Sequence, residues 1–218
     1  MEKRLPLIVR WRTLYMKRMR QTRMRLALLA VLFTGCLLAS ACSLDTVPGS
    51  GKRITESRPV SEIERVSLTC SGDVILTQGD SESLTVETDD NLMQYITTEV
   101  SGGTLTLGTQ KGVNVRPTRL RFTLTVVDLD GITVSGSGPV GVERFGTDDL
   151  EIQVSGSGDV RVDELAAETT EVRIGGSGSV DLAGQVTGQT VNIGGSGKYR
   201  GEDLRSETAS VTIGGSGD

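Results

Sequence analysis

Five nearly identical glycine tetrads punctuate the second half of this 218-residue chain: SGSG at 135–138 and 155–158, then GGSG at 175–178, 194–197 and 214–217. Their starts fall 20, 20, 19 and 20 residues apart, and a fixed period in that range marks a stacked-repeat architecture. Each repeat is a unit that buries its apolar side against its neighbours, so the period limits the fold before any single residue does.

Alignment on the tetrads shows what the repeats share. The sixth position, counted from the tetrad start, is Val140, Val160, Val180 and Tyr199, and the eighth is Val142, Val162, Leu182 and Gly201. The eleventh is Phe145, Leu165 and Leu204, with the shorter repeat blurring one register. Just before each following tetrad stand Val154, Ile174, Ile193 and Ile213, and two residues earlier Ile152, Val172, Val191 and Val211. Apolar residues that alternate along each strand and coincide between repeats are what coils stacked about 4.8 Å apart require. The expectation is an all-β fold: a β-solenoid, resembling a single-stranded β-helix, with coils of about 20 residues and Gly/Ser-rich corners.

In this reading Gly136, Gly138, Gly156, Gly158, Gly176, Gly178, Gly195, Gly197, Gly215 and Gly217 are structural turn residues, because glycine reaches the positive-φ conformations of a tight corner. The serines between them are expected to bond to nearby backbone. A degenerate copy, Thr69-Cys70-Ser71-Gly72, flanked by Val66/Leu68 and Val74/Leu76, sets the start of the fold near residue 60. Short period-two strands fill the segment between, with one helical turn expected over 91–99. The chain stops at Asp218, directly after a tetrad, where earlier repeats continue with an apolar pair such as Val160/Val162. The domain is therefore expected to be truncated at its C-terminus, with an open last coil.

The first 41 residues read as a signal rather than as fold: nine of the chain's 23 basic residues lie there against the single acid Glu2, followed by the apolar run Leu26–Phe33. Small residues directly before a cysteine are the pattern of a lipoprotein signal. Cys42, preceded by Ala39, Ser40 and Ala41, is the expected lipid attachment site, with Cys36 as the alternative. An uncleaved anchor over 26–42 is the competing reading, but that run falls short of the roughly 20 apolar residues a spanning helix needs. Met16, Met19 or Met24 are alternative starts. Residues 42–58, polar and turn-forming, read as a flexible tether, and 59–218 as the domain.

Without the leader, 14 basic and 27 acidic residues remain, and such an acidic body argues against nucleic acid. The only membrane contact expected is through the lipid. The chain has no histidine, which removes imidazole triads, imidazole metal ligands and the usual proton shuttle. Cys70 is the remaining cysteine, read as a small buried apolar residue.

Several motifs dissolve into the repeat. Gly136, Gly138 and Gly141 spell GxGxxG, but no helix follows. Gly197-Lys198 resembles the end of a phosphate loop, with Tyr199 where Ser or Thr is required. GGSGD at 214–218 resembles a calcium-binding nonapeptide, yet its aspartate comes one position early and the period is about 20. No metal or cofactor is expected. For a glycan-active enzyme the best carboxylates are Asp159, Asp163 and Asp181; they share no register, and solvated outward charges are the better account.

The segments VSLTCSGDVILTQGDSESLTVETDDNLMQYITTEVSGGTLTL and LRFTLTVVDLDGITVSGSGPV, followed by repeated SGSGDV and GGSG units, resemble the bacterial auto-transporter adhesin head, or GIN, domain over roughly 55–218. The resemblance implies a secreted or lipid-anchored envelope protein, a β-solenoid-like fold and no established enzymatic activity; it supplies no site residues. The partner expected is a surface glycan or protein. A structural or stress-sensing envelope role without a ligand is the alternative, and a polysaccharide-active enzyme the third.

Overall fold

The computed structural model describes residues 46–218. The expected signal segment and both candidate lipid sites, Cys36 and Cys42, lie outside the described residues.

The described chain is all-β apart from one 3-10 turn at Met93–Tyr95. Its strands are β1 (Thr46–Pro48), β2 (Arg53–Arg58), β3 (Arg65–Leu68), β4 (Asp73–Gln78), β5 (Ser83–Asp89), β6 (Ile96–Ser101), β7 (Thr104–Thr109), β8 (Asn114–Arg116) and β9 (Arg121–Val126). They continue with β10 (Gly131–Val134), the three long strands β11 (Val140–Val154), β12 (Val160–Ile174) and β13 (Ser179–Ile193), then β14 (Lys198–Arg200) and β15 (Leu204–Ile213). Apart from a small β1–β8 pair, all join one sheet that wraps into a nearly closed, barrel-like surface.

The wrapping follows from how the long strands pair. The first residues of β11 align in parallel with β4 and its last residues with β10, so a single strand serves two parts of the sheet. Along one lane the Cα partners run Phe122, Val74, Val140, Val160, Val180, Tyr199. Along another they run Leu105, Val66, Ile132, Ile152, Val172, Val191, Val211. A third, between them, holds Phe145, Leu165, Gly184 and Leu204. From Phe122 to Val180, and from Leu105 to Val191, every member of the first two rows is buried. Each such side chain contributes about 1.5–3 kcal/mol of transfer free energy. The rows read from the sequence are the rows in which the strands pair.

The corners work differently from expectation. No tetrad glycine has a positive φ. What they need is the absence of a side chain. A Cβ on Gly136 would collide with the Cys70 carbonyl, one on Gly156 with the Gly136 carbonyl, and one on Gly176 with the Gly156 carbonyl; the series continues through Gly195 and Gly215. Gly138, Gly158, Gly178, Gly197 and Gly217 stand in the same relation to the glycine below each. Corners stack this closely because the hydrogen-bond ladder passes through them: Ser155 N–H donates to Val134 O at 2.9 Å and Ser157 N–H to Gly136 O at 3.1 Å. The middle serines, Ser137, Ser157, Ser177, Ser196 and Ser216, are exposed. Backbone amides, rather than their hydroxyls, tie the corners together.

Two other expectations change. The part of the 42–58 segment that is described is not a free tether: β1 runs parallel to β8, and β2 lies antiparallel along β5 from Arg53↔Asp89 to Arg58↔Leu84. Among the described residues paired strand is already present at Thr46, well before the start expected near residue 60. The helical turn expected over 91–99 is one 3-10 turn, after which Ile96 opens strand β6. Antiparallel pairs β2–β5, β5–β9 and β6–β7 close the parallel lanes on this side, and Leu92, Met93 and Ile96 are buried there. At the far side Val211 and Ile213 of β15 are 56% and 50% exposed.

Candidate binding surface

Because the inward rows are mostly aliphatic, polar recognition falls to the outward rows. The sharpest irregularity in them lies where the repeat shortens to 19 residues. Between β12 and β13 the register slips: Asp163 and Glu164 separate Val162 from Leu165, while Ala183 alone separates Leu182 from Gly184. This is a bulge, two residues opposite one, of the kind that re-aims side chains. Gly184 takes up the slack at φ 126°, and a Cβ there would run into the Leu165 backbone, so a larger residue is excluded on both counts.

The bulge opens a cleft of about 280 Å³ lined by Arg161, Asp163, Asp181, Arg200, Glu202 and Asp203. Arg161, Asp181 and Arg200 are successive partners in one outward row; alternating signs let each rung attract the next. Arg161 Nε donates to Asp163 Oδ1 at 2.5 Å, and Arg200 Nη1 donates to Asp181 Oδ1 at 2.9 Å. These hydrogen bonds, with the carboxylate charges, push both guanidinium groups further up. Glu202 and Asp203 add two carboxylates without an arginine partner among the described residues, so the cleft sets four anions against two cations and presents both signs to a polar ligand.

Of the carboxylates singled out from the sequence, the structure brings Asp163 and Asp181 together in this cleft. Asp159 sits apart, its Oδ1 accepting the Ser179 amide at 2.8 Å and hydroxyl at 2.7 Å. The sequence reading missed Arg161, Arg200 and Gly184, although the one short repeat was the signal that pointed to them.

The other candidates are structural. The Gly136 and Gly138 amides are bonded to Leu68 O and Cys70 O, so they are not available to cradle a phosphate, and Gly141 lies within β11 opposite Ile75. Lys198 and Asp218 pair with each other at 3.5 Å. Among the described residues no cluster of three or more acidic or cysteine side chains is arranged to hold a metal ion. Cys70 is part-buried and unbridged, and burial pushes its thiol up. Tyr199 donates to Gln189 Oε1 at 2.6 Å; burial pushes its phenol up to about 12.

The sequence model of a bacterial family described as "putative auto-transporter adhesin, head GIN domain" matches residues 63–218. The chain belongs to that family. Among solved structures, this GIN domain is similar to a putative adhesin from Bacteroides fragilis, with 28% identity, a TM-score of 0.74, and 78% of this chain and 79% of that one covered. It also shares its fold with a putative lipid binding protein from Parabacteroides distasonis (24% identity, TM-score 0.67, 78% and 81% covered). A putative adhesin from Parabacteroides merdae shares it too (20%, 0.60, 78% and 80%). No curated protein matches the chain. The family match starts at Ile63, so β1 and β2 lie outside it.

Proposed function

We propose that this GIN domain is a non-enzymatic binding module of an adhesin, held in the cell envelope by a lipid on Cys42, and that its stacked parallel strands form a β-solenoid with coils of about 20 residues. The observation that carries the binding role is the bulge cleft. There the register of the outward rows slips, and Arg161, Asp163, Asp181 and Arg200 gather around the bulge at Gly184, whose φ of 126° glycine adopts without a Cβ clash. The adhesin family and the adhesin-like fold point the same way. A surface glycan or a protein is the partner class, reached from the envelope.

The enzyme reading is weaker on the same geometry. Asp163 and Asp181, the carboxylates picked out in the sequence, share a cleft but are each engaged by an arginine, which leaves neither free for acid–base work.

The test is adhesion of cells displaying the full chain to immobilised glycans and matrix proteins, beside an Arg161→Ala/Arg200→Ala variant displayed at equal density. Retention of wild type and its loss in the variant is expected. Wild-type retention on no surface overturns the binding reading in favour of a ligand-free structural role. Palmitate labelling of wild type beside Cys42→Ser and Cys36→Ser tests the anchor: label lost only with Cys42→Ser is expected, and label persisting in both variants overturns it.

A further inference from the structure

The segment that reads as a tether in the sequence is instead clipped to the domain. β1 pairs with β8 from Thr46↔Asn114 to Pro48↔Arg116, and Gly49 N–H continues the ladder to Arg116 O at 2.8 Å. Asp89, fully buried, accepts hydrogen bonds from Gly51 N–H at 2.8 Å, Thr118 N–H at 2.7 Å and the Thr118 hydroxyl at 2.8 Å. Its neighbours add to the clip: Asn91 Nδ2 donates to Pro48 O at 2.8 Å and Asn91 Oδ1 accepts from Ser50 N–H at 2.9 Å. The Ser50 hydroxyl reaches Asp90 at 2.5 Å. A segment held by this many bonds does not behave as a flexible linker.

Only Ser43, Leu44 and Asp45 then separate Cys42 from the first paired residue, Thr46. Four Cα-to-Cα steps at full extension span at most about 14 Å. From this we infer that the β1–β8 edge of the domain rests on the membrane surface and is its headgroup-contacting face. The inference depends on the Cys42 anchor proposed above.

The residues at that edge suit the role. The turn leading into β8 carries Lys111 beside Gly112, and because β1 and β8 run parallel, this turn lies at the end where the chain arrives from Cys42. Lys111 and Arg116 are exposed, and neither forms an ion pair among the described residues. Within about a Debye length, roughly 10 Å, of phosphate headgroups an unpaired cation is attracted. Tyr95, half-buried, is joined to the same turn by Gln110 N–H donating to Tyr95 O at 2.8 Å; tyrosine suits the headgroup layer. An acidic body attached this closely would be repelled by an anionic surface unless exposed cations such as Lys111 and Arg116 faced it.

The test uses the full lipidated chain in vesicles of phosphatidylethanolamine and phosphatidylglycerol, with the photo-crosslinking residue p-benzoylphenylalanine placed at Lys111 or, separately, at Glu207 of β15. Protein–lipid adduct is read by mass. About tenfold more adduct from position 111 than from 207 is expected, falling to the level of 207 when a flexible spacer of about 15 residues is inserted between Cys42 and Thr46. Equal yields from the two positions, or a yield at 111 that ignores the spacer, would overturn the inference. Palmitate labelling of the same samples separates the causes: label without selective adduct sinks the orientation alone, and no label sinks the anchor beneath it.

Discussion

The first and last rungs of the described chain are covered differently. At the N-terminal end the parallel lanes run into antiparallel strands, β2 on β5 and β6 on β7, and the aliphatic rows stay buried up to Leu105 and Phe122. At the other end β15 lies against β13 alone. Val172 and Val191 are fully buried, while Val211, in the same row and register, is 56% exposed. The residue type, strand position and register are the same. The only change is whether another rung lies above, so burial here belongs to the stack rather than to the residue.

That contrast can be pressed hardest at a corner. Gly176→Ala forces a Cβ against the Gly156 carbonyl inside the stack, and a loss of about 3 kcal/mol is expected. The same change at Gly215, in the last corner, should cost about 1 kcal/mol, because the final rung can lift away. Gly175→Ala has nothing within 4 Å and should shift stability by less than about 0.5 kcal/mol. Urea unfolding of the variants decides; equal costs at 176 and 215 would remove the distinction between the two regions.

Next in size is the pair Val172→Ala and Val211→Ala. The first deletes buried methyls and should cost about 2 kcal/mol; the second, on the exposed rung, about 0.5 kcal/mol or less. Thermal melts at matched concentration would show it.

At the N-terminal end the clip supplies a pH dependence of its own. Burial pushes the Asp89 carboxyl up, yet the Thr118 amide and hydroxyl and the Gly51 amide outweigh it and hold it below the usual carboxylate value. The folded state therefore favours the ionised form. Its contribution is complete above the unfolded value of about 3.9 and is lost as the pH falls through the lower folded one. Loss of hydrogen-exchange protection at Gly51 and Thr118 in acid, before β12 and β13 lose theirs, is expected. Asp89→Asn should reproduce that loss at neutral pH, at about 1.5 kcal/mol.

The smallest effect has the opposite sign. The row Leu150, Thr170, Gln189, Ala209 changes from apolar to polar at Thr170, and the Thr170 hydroxyl is buried without a hydrogen-bond partner. Thr170→Val keeps the shape and removes that orphan, so a gain of up to about 1 kcal/mol is expected in the same melts. A loss would mean that the hydroxyl has a partner in solution.

The sequence made the middle of the molecule legible and its first end nearly illegible. Val140, Val160 and Val180 repeat because each faces the same neighbour one rung on, and such periodicity can be read by counting. The degenerate corner at Thr69–Gly72 also fell into register, between β3 and β4. The segment RITESR of β2 offers no such pattern. It is an edge strand whose one apolar residue, Ile54, is half-buried, and a polar edge strand has the composition of a linker. Asp89 was invisible for a related reason: its partners lie 38 and 29 residues away. The bulge cleft was half visible, since the missing residue announced an irregularity but not which side chains would gather there.

The amide-to-carbonyl ladder that runs unbroken through the tetrads has an evolutionary consequence. Every tetrad meets the next through the same bare corner, so a copied or deleted repeat would recreate contacts already present. Loss of a single residue is another matter, because it slips everything downstream. One repeat of the chain is a residue shorter than the others, and Gly184 stands where the slip is absorbed. In this chain the phase changes at the place where a residue without a side chain receives the change.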